Sequence, residues 1–230
     1  MMSLELRQAS ALSGIRRTRS ATALRGLNIA VAFAGLLVAA PVMLLIAALI
    51  KLTSRGPVLY TQTRVGLDRR AQRNGSTNHR RLTDGGGKLF TIYKFRTMHA
   101  GDAPTTPEVW ATRNDPRITP LGRILRKYRL DELPQFLNVL RGDMNVVGPR
   151  PEQPTIFARL RDQVPGYQER QRVPPGITGW AQVNQRYDTS LDDVRRKVML
   201  DLEYVTRRSV FEDLRILART VPVVLRRGGW

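Results

Sequence analysis

The sequence predicts an α+β chain, predominantly helical, with an N-terminal re-entrant membrane segment and a small cytoplasmic domain containing a β-hairpin. Three observations predict it. Gly26–Ile50 is a run of 25 residues without one charge. Two strand-like segments, Val58–Val65 and Lys88–Phe95, flank a polar stretch. Farther along, apolar residues recur at helical spacing in short segments separated by Gly and Pro.

The apolar run comes first. At about 1.5 Å per residue its helix reaches roughly 37 Å, more than the roughly 30 Å of a bilayer's hydrocarbon core. Pro41 removes one backbone hydrogen bond past its middle. Both flanks are basic, with Arg16, Arg17, Arg19 and Arg25 before it and Lys51 and Arg55 after it. Basic flanks favour the cytoplasmic side, here for both ends. A helix that enters, breaks at Pro41 and returns satisfies both observations; a single kinked span is the rival. Residues 1–25 read as a polar, basic, poorly ordered lead-in, 26–50 as the membrane segment and 51–230 as the cytoplasmic body.

In that body Arg55-Gly56-Pro57 signals a turn into Val58–Val65, and Lys88–Phe95 supplies the second strand. The 68–87 stretch between them, dense in Arg, Asn, Ser and Gly, reads as a flexible insertion. Ala100–Thr119 reads as loop, with Trp110 as its anchor. Pro120–Tyr128 reads as a short basic helix. Asp131–Arg141 reads as a second, carrying Leu133, Phe136, Leu137 and Leu140 on one face and stopping at Gly142. Pro154–Arg172 is helical with an interruption at Pro165-Gly166, and Val173–Asn184 is a constrained loop. Leu191–Thr206 is amphipathic. Phe211–Leu225, apolar and basic, fits an ordinary packed helix and a membrane-surface helix equally well.

Composition removes several kinds of chemistry. The chain has no cysteine, so thiolate catalysis and disulfides are excluded, and only His79 and His99 stand against a multi-histidine metal centre. Lys and Arg number 38 against 19 Asp and Glu, a net charge of +19. That surplus suits anionic lipids or phosphorylated substrates; without an aromatic-interleaved recognition motif, nucleic acid is not the expected partner.

The chemistry centres on Asp131-Glu132-Leu133-Pro134-Gln135. Pro is tolerated in a first helical turn, which places Asp131 at the helix start, where free N–H groups welcome negative charge. Both carboxylates are expected ionised there. Adjacent helical residues point about 100° apart, so one carboxylate can attack phosphorus while the other holds a divalent cation. Asp-Glu also opens many ordinary helices, and the neighbourhood decides. Arg123, Arg126, Lys127 and Arg129 lie just before the pair, Lys94 and Arg96 sit on the second strand's end, and Pro149 and Pro151 fix the backbone round Arg150. This basic neighbourhood, which includes Lys94, Arg96 and Arg126, suits a phosphorylated substrate, and the two prolines aim Arg150 as toward a pyrophosphate.

Lys94–Met98, Asp115–Thr119, Leu130–Gln135, Gly142–Pro151 and Pro175–Val183, in this order, resemble the bacterial sugar transferase family, the monotopic phosphoglycosyl transferases that begin exopolysaccharide, capsule and O-antigen assembly. The resemblance implies a re-entrant membrane helix, a UDP-sugar donor and a polyprenyl phosphate acceptor at the bacterial cytoplasmic membrane. It implies that Asp131 attacks the sugar-bearing phosphate and expels UMP, that Glu132 helps hold Mg²⁺, and that Lys94, Arg126, Arg150 and Arg186 bind phosphate. Family members often show Phe-Asp where this chain has Leu27-Asn28, and Ser-Pro where it has Ala40-Pro41. An inactive membrane scaffold is the alternative reading, and a homodimer is left open.

Overall fold

The structure, a computed structural model, describes residues 20–68, 86–99, 115–185 and 190–225. Most of the lead-in and of the 68–87 insertion, Trp110 and Arg186 lie outside them. In chain order the elements are α1 (Ser20–Thr53), β1 (Leu59–Val65), β2 (Leu89–Phe95), α2 (Pro120–Lys127), a 3-10 turn (Leu130–Glu132), α3 (Gln135–Arg141) and β3 (Asn145–Val147). There follow α4 (Pro154–Gln163), a second 3-10 turn (Tyr167–Arg172), β4 (Gly176–Thr178), α5 (Trp180–Asn184), α6 (Leu191–Arg207) and α7 (Val210–Leu225).

α1 is one helix of 34 residues, long and apolar enough to cross a membrane. Leu24, Asn28, Ala32, Ile46 and Ile50 are buried along one side, while Phe33, Leu37, Val38, Leu44 and Leu45 are exposed. The burial stripe repeats at three- and four-residue steps, so one side of the helix lies on the body along both halves. The expected break at Pro41 is not an interruption, because the helix runs through it. Proline removes a single N–H, and packing holds the chain helical on either side: Ala32 against Phe90, Ile92 and Val139, and Ile46 and Ile50 against Phe95 and Leu125. Gly35 permits the closest approach, since a Cβ there would stand 2.9 Å from the Phe136 ring.

Polar contacts fasten both ends of α1. Arg25 donates to the Val139 and Leu140 carbonyls at 2.7 and 2.9 Å, adding positive charge at the C-terminal end of α3. Asn28 Oδ1 accepts from the Val146 amide at 2.5 Å, and its Nδ2 donates to the Leu24 carbonyl. Asn at this position thus supplies a neutral acceptor, sparing the cost of burying a carboxylate. At the far end Arg96 donates to Ser54 Oγ and to the Ser54 and Arg55 carbonyls at 2.7, 2.9 and 2.8 Å.

β1 and β2 form the expected antiparallel hairpin, with Leu59 opposite Phe95 and Val65 opposite Leu89. Tyr60 pairs with Lys94 and Arg64 with Phe90, so β1 residues 60, 62 and 64 share a face with β2 residues 90, 92 and 94. Phe90 and Ile92 bury that face against α3, and Lys94 continues it toward the dyad. Two expectations need correction. Val173–Asn184 is not simply loop: β4 pairs in parallel with β3, Asn145 opposite Gly176 and Val147 opposite Thr178, and α5 follows. The Asp131–Arg141 helix is divided, because Pro134 is the N-cap of α3 and the dyad falls in the 3-10 turn before it.

Candidate active site

The 3-10 turn begins from an unusual backbone. Arg129 has φ 55° and ψ 22°, the one left-handed non-glycine among the described residues. This conformation costs an L-residue about 1–2 kcal/mol. It reverses the chain after α2 and sets Asp131 and Glu132 inward, 8% and 5% exposed.

Glu132 is the hub. Its Oε1 accepts from Lys94 Nζ at 2.9 Å and from Arg150 Nη2 at 2.6 Å; its Oε2 lies 3.4 Å from Arg150 Nη1 and 4.0 Å from Arg129. Burial alone would raise its pKa, but Arg150 and then Lys94 outweigh burial and hold it well below the ordinary value. Asp131 behaves oppositely. Burial first, and the Glu132 charge second, push its pKa up to about 6, with Lys94, Arg126 and Arg150 pulling the other way. The two carboxylates nevertheless differ in basicity: a 3-10 turn offers little helix dipole, and burial raises Asp131 while the cations hold Glu132 down. Near neutral pH Asp131 is a carboxylate of raised basicity and Glu132 a fixed anion.

Lys94, Arg150 and Arg126 gather round this pair; Arg126 also donates its Nε to Thr97 Oγ1 at 2.9 Å. Arg96 stands apart, its guanidinium occupied by the α1 exit. Arg186 is outside the described residues. A cleft beside the dyad is lined by Arg64, Ile92, Lys94, Gln135, Arg150 and Pro151. Sequence reading passed over Arg64 and Gln135. Arg64 alternates with Gln62 along β1 like a solvated face, and nothing in its spacing shows that Phe90 lies opposite.

Behind the turn carrying Arg150 lies a second ionic cluster. Arg170, fully buried, donates Nε to Asp201 Oδ2 at 2.7 Å, and Lys197 meets Glu152 at 2.8 Å. Arg170 also stacks on Tyr167, 4.9 Å from the ring centroid.

The site can do two things chemically. It presents a desolvated carboxylate to an electrophile, and it lays four cations, Lys94, Arg126, Arg129 and Arg150, against two carboxylates. That surplus fits a phosphorylated electrophile. Among the described residues no group of three or more His, Cys, Asp or Glu stands together, so a divalent ion would draw most of its ligands from substrate oxygens and water, as Mg²⁺ does beside one or two carboxylates. The less engaged Oε2 of Glu132 would be its carboxylate ligand.

Residues 19–227 match the family model described as bacterial sugar transferase. UDP-glucose:undecaprenyl-phosphate glucose-1-phosphate transferase of Escherichia coli K12 is 41% identical over 214 residues, covering 91% of this chain and 41% of the relative. UDP-N-acetylgalactosamine-undecaprenyl-phosphate N-acetylgalactosaminephosphotransferase of Aeromonas hydrophila is 39% identical over 201 residues, 87% and 43% of the two chains. The exopolysaccharide production protein PSS of Rhizobium leguminosarum bv. phaseoli is 39% identical over 209 residues, 89% and 96%. The chain thus spans less than half the length of the first two relatives and nearly all of the third.

Proposed function

The chain belongs to the bacterial sugar transferase family, and from that premise we propose that it transfers a sugar-1-phosphate from a UDP-sugar to undecaprenyl phosphate, releasing UMP. The observation that carries this reading is the buried Asp131, held near pKa 6 beside a cation-clamped Glu132. In the first step an Asp131 oxygen attacks the sugar-bearing phosphorus. A phosphorus–oxygen bond to Asp131 forms, the bond to the bridging oxygen breaks, and UMP leaves with the electron pair. In the second step an oxygen of undecaprenyl phosphate attacks the same phosphorus, and the Asp131 carboxylate is regenerated. Both nucleophiles are anions, so no proton transfer is needed.

Lys94 and Arg150 neutralise the diphosphate while Glu132 fixes their heads, and Arg126 adds charge on the Asp131 side. Mg²⁺ held by Glu132 would neutralise diphosphate charge and stabilise the departing UMP. An acyl phosphate must be kept from water, and burial of Asp131 serves that end.

The apolar outer face of α1 belongs in lipid, because so many exposed large side chains on one helix are unfavourable in water. We place both of its ends at the cytoplasmic face. Support comes from the docking of both halves on one body and from basic residues at each end, Arg25, Lys51 and Arg55. The cysteine-free sequence allows a direct test by single-cysteine labelling in intact cells. A residue before Ser20 reactive only from the periplasm would sink the re-entrant reading, and Pro41→Ala should move the helix toward spanning.

The reaction is tested by UMP release from the purified protein with Mg²⁺, undecaprenyl phosphate and a panel of UDP-sugars. Release that depends on both the lipid and one donor supports the reaction and names the sugar. No release with any donor, from folded protein in native-like lipid, would refute it.

A further inference from the structure

The turn that bears Arg150 is held at four consecutive carbonyls. The Gly176 amide donates to the Pro149 carbonyl at 2.9 Å, and the Val65 amide to the Glu152 carbonyl at 2.9 Å. Between them Arg170 Nη2 donates to the Arg150 carbonyl at 3.1 Å, and Arg64 Nη1 to the Pro151 carbonyl at 3.1 Å. The donors come from β4, the second 3-10 turn and β1, so three elements converge on four residues. Pro149 and Pro151 have no N–H of their own, which leaves the carbonyls as the turn's main means of attachment.

The two side-chain donors differ in setting, Arg64 half-buried and Arg170 fully buried. Burying a guanidinium carries a penalty of several kcal/mol before compensation. Arg170 is offset by Asp201 and the Tyr167 ring. Arg64 lies in the cleft wall beside Lys94 and Arg150, yet its hydrogen bonds run to Pro151 and to Gln62 Oε1, the latter at 2.6 Å. Both arginines therefore serve backbone and neighbouring side chains, while the Arg150 head, mounted on that backbone, reaches Glu132 at 2.6 Å.

We infer that Arg64 and Arg170 are positioning residues for Arg150, fixing its turn so that its guanidinium meets Glu132 and the donor's diphosphate in one orientation. The inference rests on the proposed reaction and adds residues that act through another side chain.

A double-mutant cycle tests it on the full chain in lipid. Arg64→Met and Arg150→Ala are made singly and together, reading kcat/KM for UMP release and Kd for uridine diphosphate. Arg64→Met alone should lower kcat/KM about tenfold, since a misplacement of about 1 Å can cost up to about 100-fold. In the Arg150→Ala background it should cost less than about twofold, because the group it positions is gone. Arg64→Lys, which keeps a donor for the Pro151 carbonyl, should recover most of the loss. Additive losses would overturn the inference, placing Arg64 on the substrate itself or in general stability. Should the melting curve show Arg64→Met unfolded, the pair Arg170→Met with Asp201→Leu, which removes the Arg150-carbonyl donor without leaving a lone buried charge, takes its place in the same cycle. A wild type that binds uridine diphosphate but releases no UMP breaks the proposed reaction alone, and the cycle in Kd then decides the positioning role.

Discussion

Two buried ionic clusters meet at the Arg150 turn, and they are built on opposite plans. The rear one is closed: Arg170 and Lys197 face Asp201 and Glu152, two cations to two anions, in pairs of 2.7 and 2.8 Å. Burial would raise the Glu152 pKa, yet Lys197 and Arg170 bring it down to about 2. The front one is open: four cations surround Asp131 and Glu132, and one of those carboxylates is driven up to about 6. A balanced buried cluster specifies shape, whereas a surplus left beside a cleft specifies a ligand of the missing sign. The difference marks the front cluster as the side suited to an anionic ligand.

The largest effect should come from the front. Asp131→Asn is expected to lower turnover by at least about 1,000-fold, as loss of a covalent nucleophile does; UMP release checks it. The same change should leave the melting temperature unchanged or raise it. Asp131 has a folded pKa above its ordinary value, so folding favours its protonated form. That contribution is fully present below about pH 4 and is lost as pH rises through about 6, and Asn avoids the loss. A melting temperature several degrees lower would contradict the burial argument.

The rear should respond in the reverse sense. Asp201→Asn leaves Arg170 buried without its counter-charge and should cost about 3–5 kcal/mol in denaturant unfolding. Replacing both partners, Arg170→Met with Asp201→Leu, should restore much of that stability but not the rate. Restoration of both would place the pair in stability alone.

A third test sharpens the contrast through pH. The attacking form of Asp131 is the carboxylate, so kcat/KM should fall about tenfold per unit below pH 6 and level off above it. An acid limb near pH 4, the ordinary carboxyl value, would mean that the site is wetter than its burial indicates. The smallest effect belongs to Arg96, which fastens the α1 exit. Arg96→Ala should cost about 1–3 kcal/mol of stability, the usual penalty for carbonyls left unpaired, with the donor KM within about twofold of wild type.

Much of the frame was legible. The hairpin, α2, α6 with its Val194, Val198 and Val205 stripe, and the Gly142 stop at φ 82° follow from periodicity and capping residues. The β3–β4 pair was not, since three-residue strands have no period to read and their partner lies 31 residues away. Pro134 announced a helix start, but whether it occupies the N-cap or the first turn depends on the left-handed Arg129, for which the residue type gives no signal. Arg150 stood out in the sequence because prolines flank it, whereas Lys94 and Arg126 were singled out by the family resemblance. Arg96 shows the limit of that reasoning. It is two residues from Lys94 and so shares its strand face, yet it lies just past the end of β2, beside the last turn of α1.

The docking of α1 has a consequence for how such a protein is made. Its Ala32, Ile46 and Ile50 complete two of the four apolar clusters, and Asn28 supplies the partner of the Val146 amide. A protease that severed the chain between Thr53 and Leu59 would not release a working catalytic body into solution, because the cut would leave part of its interior behind in the lipid. Helix and body are thereby linked in folding: until α1 has docked, the turn that carries Asp131 lacks the Ile46 and Ile50 side of its apolar cluster.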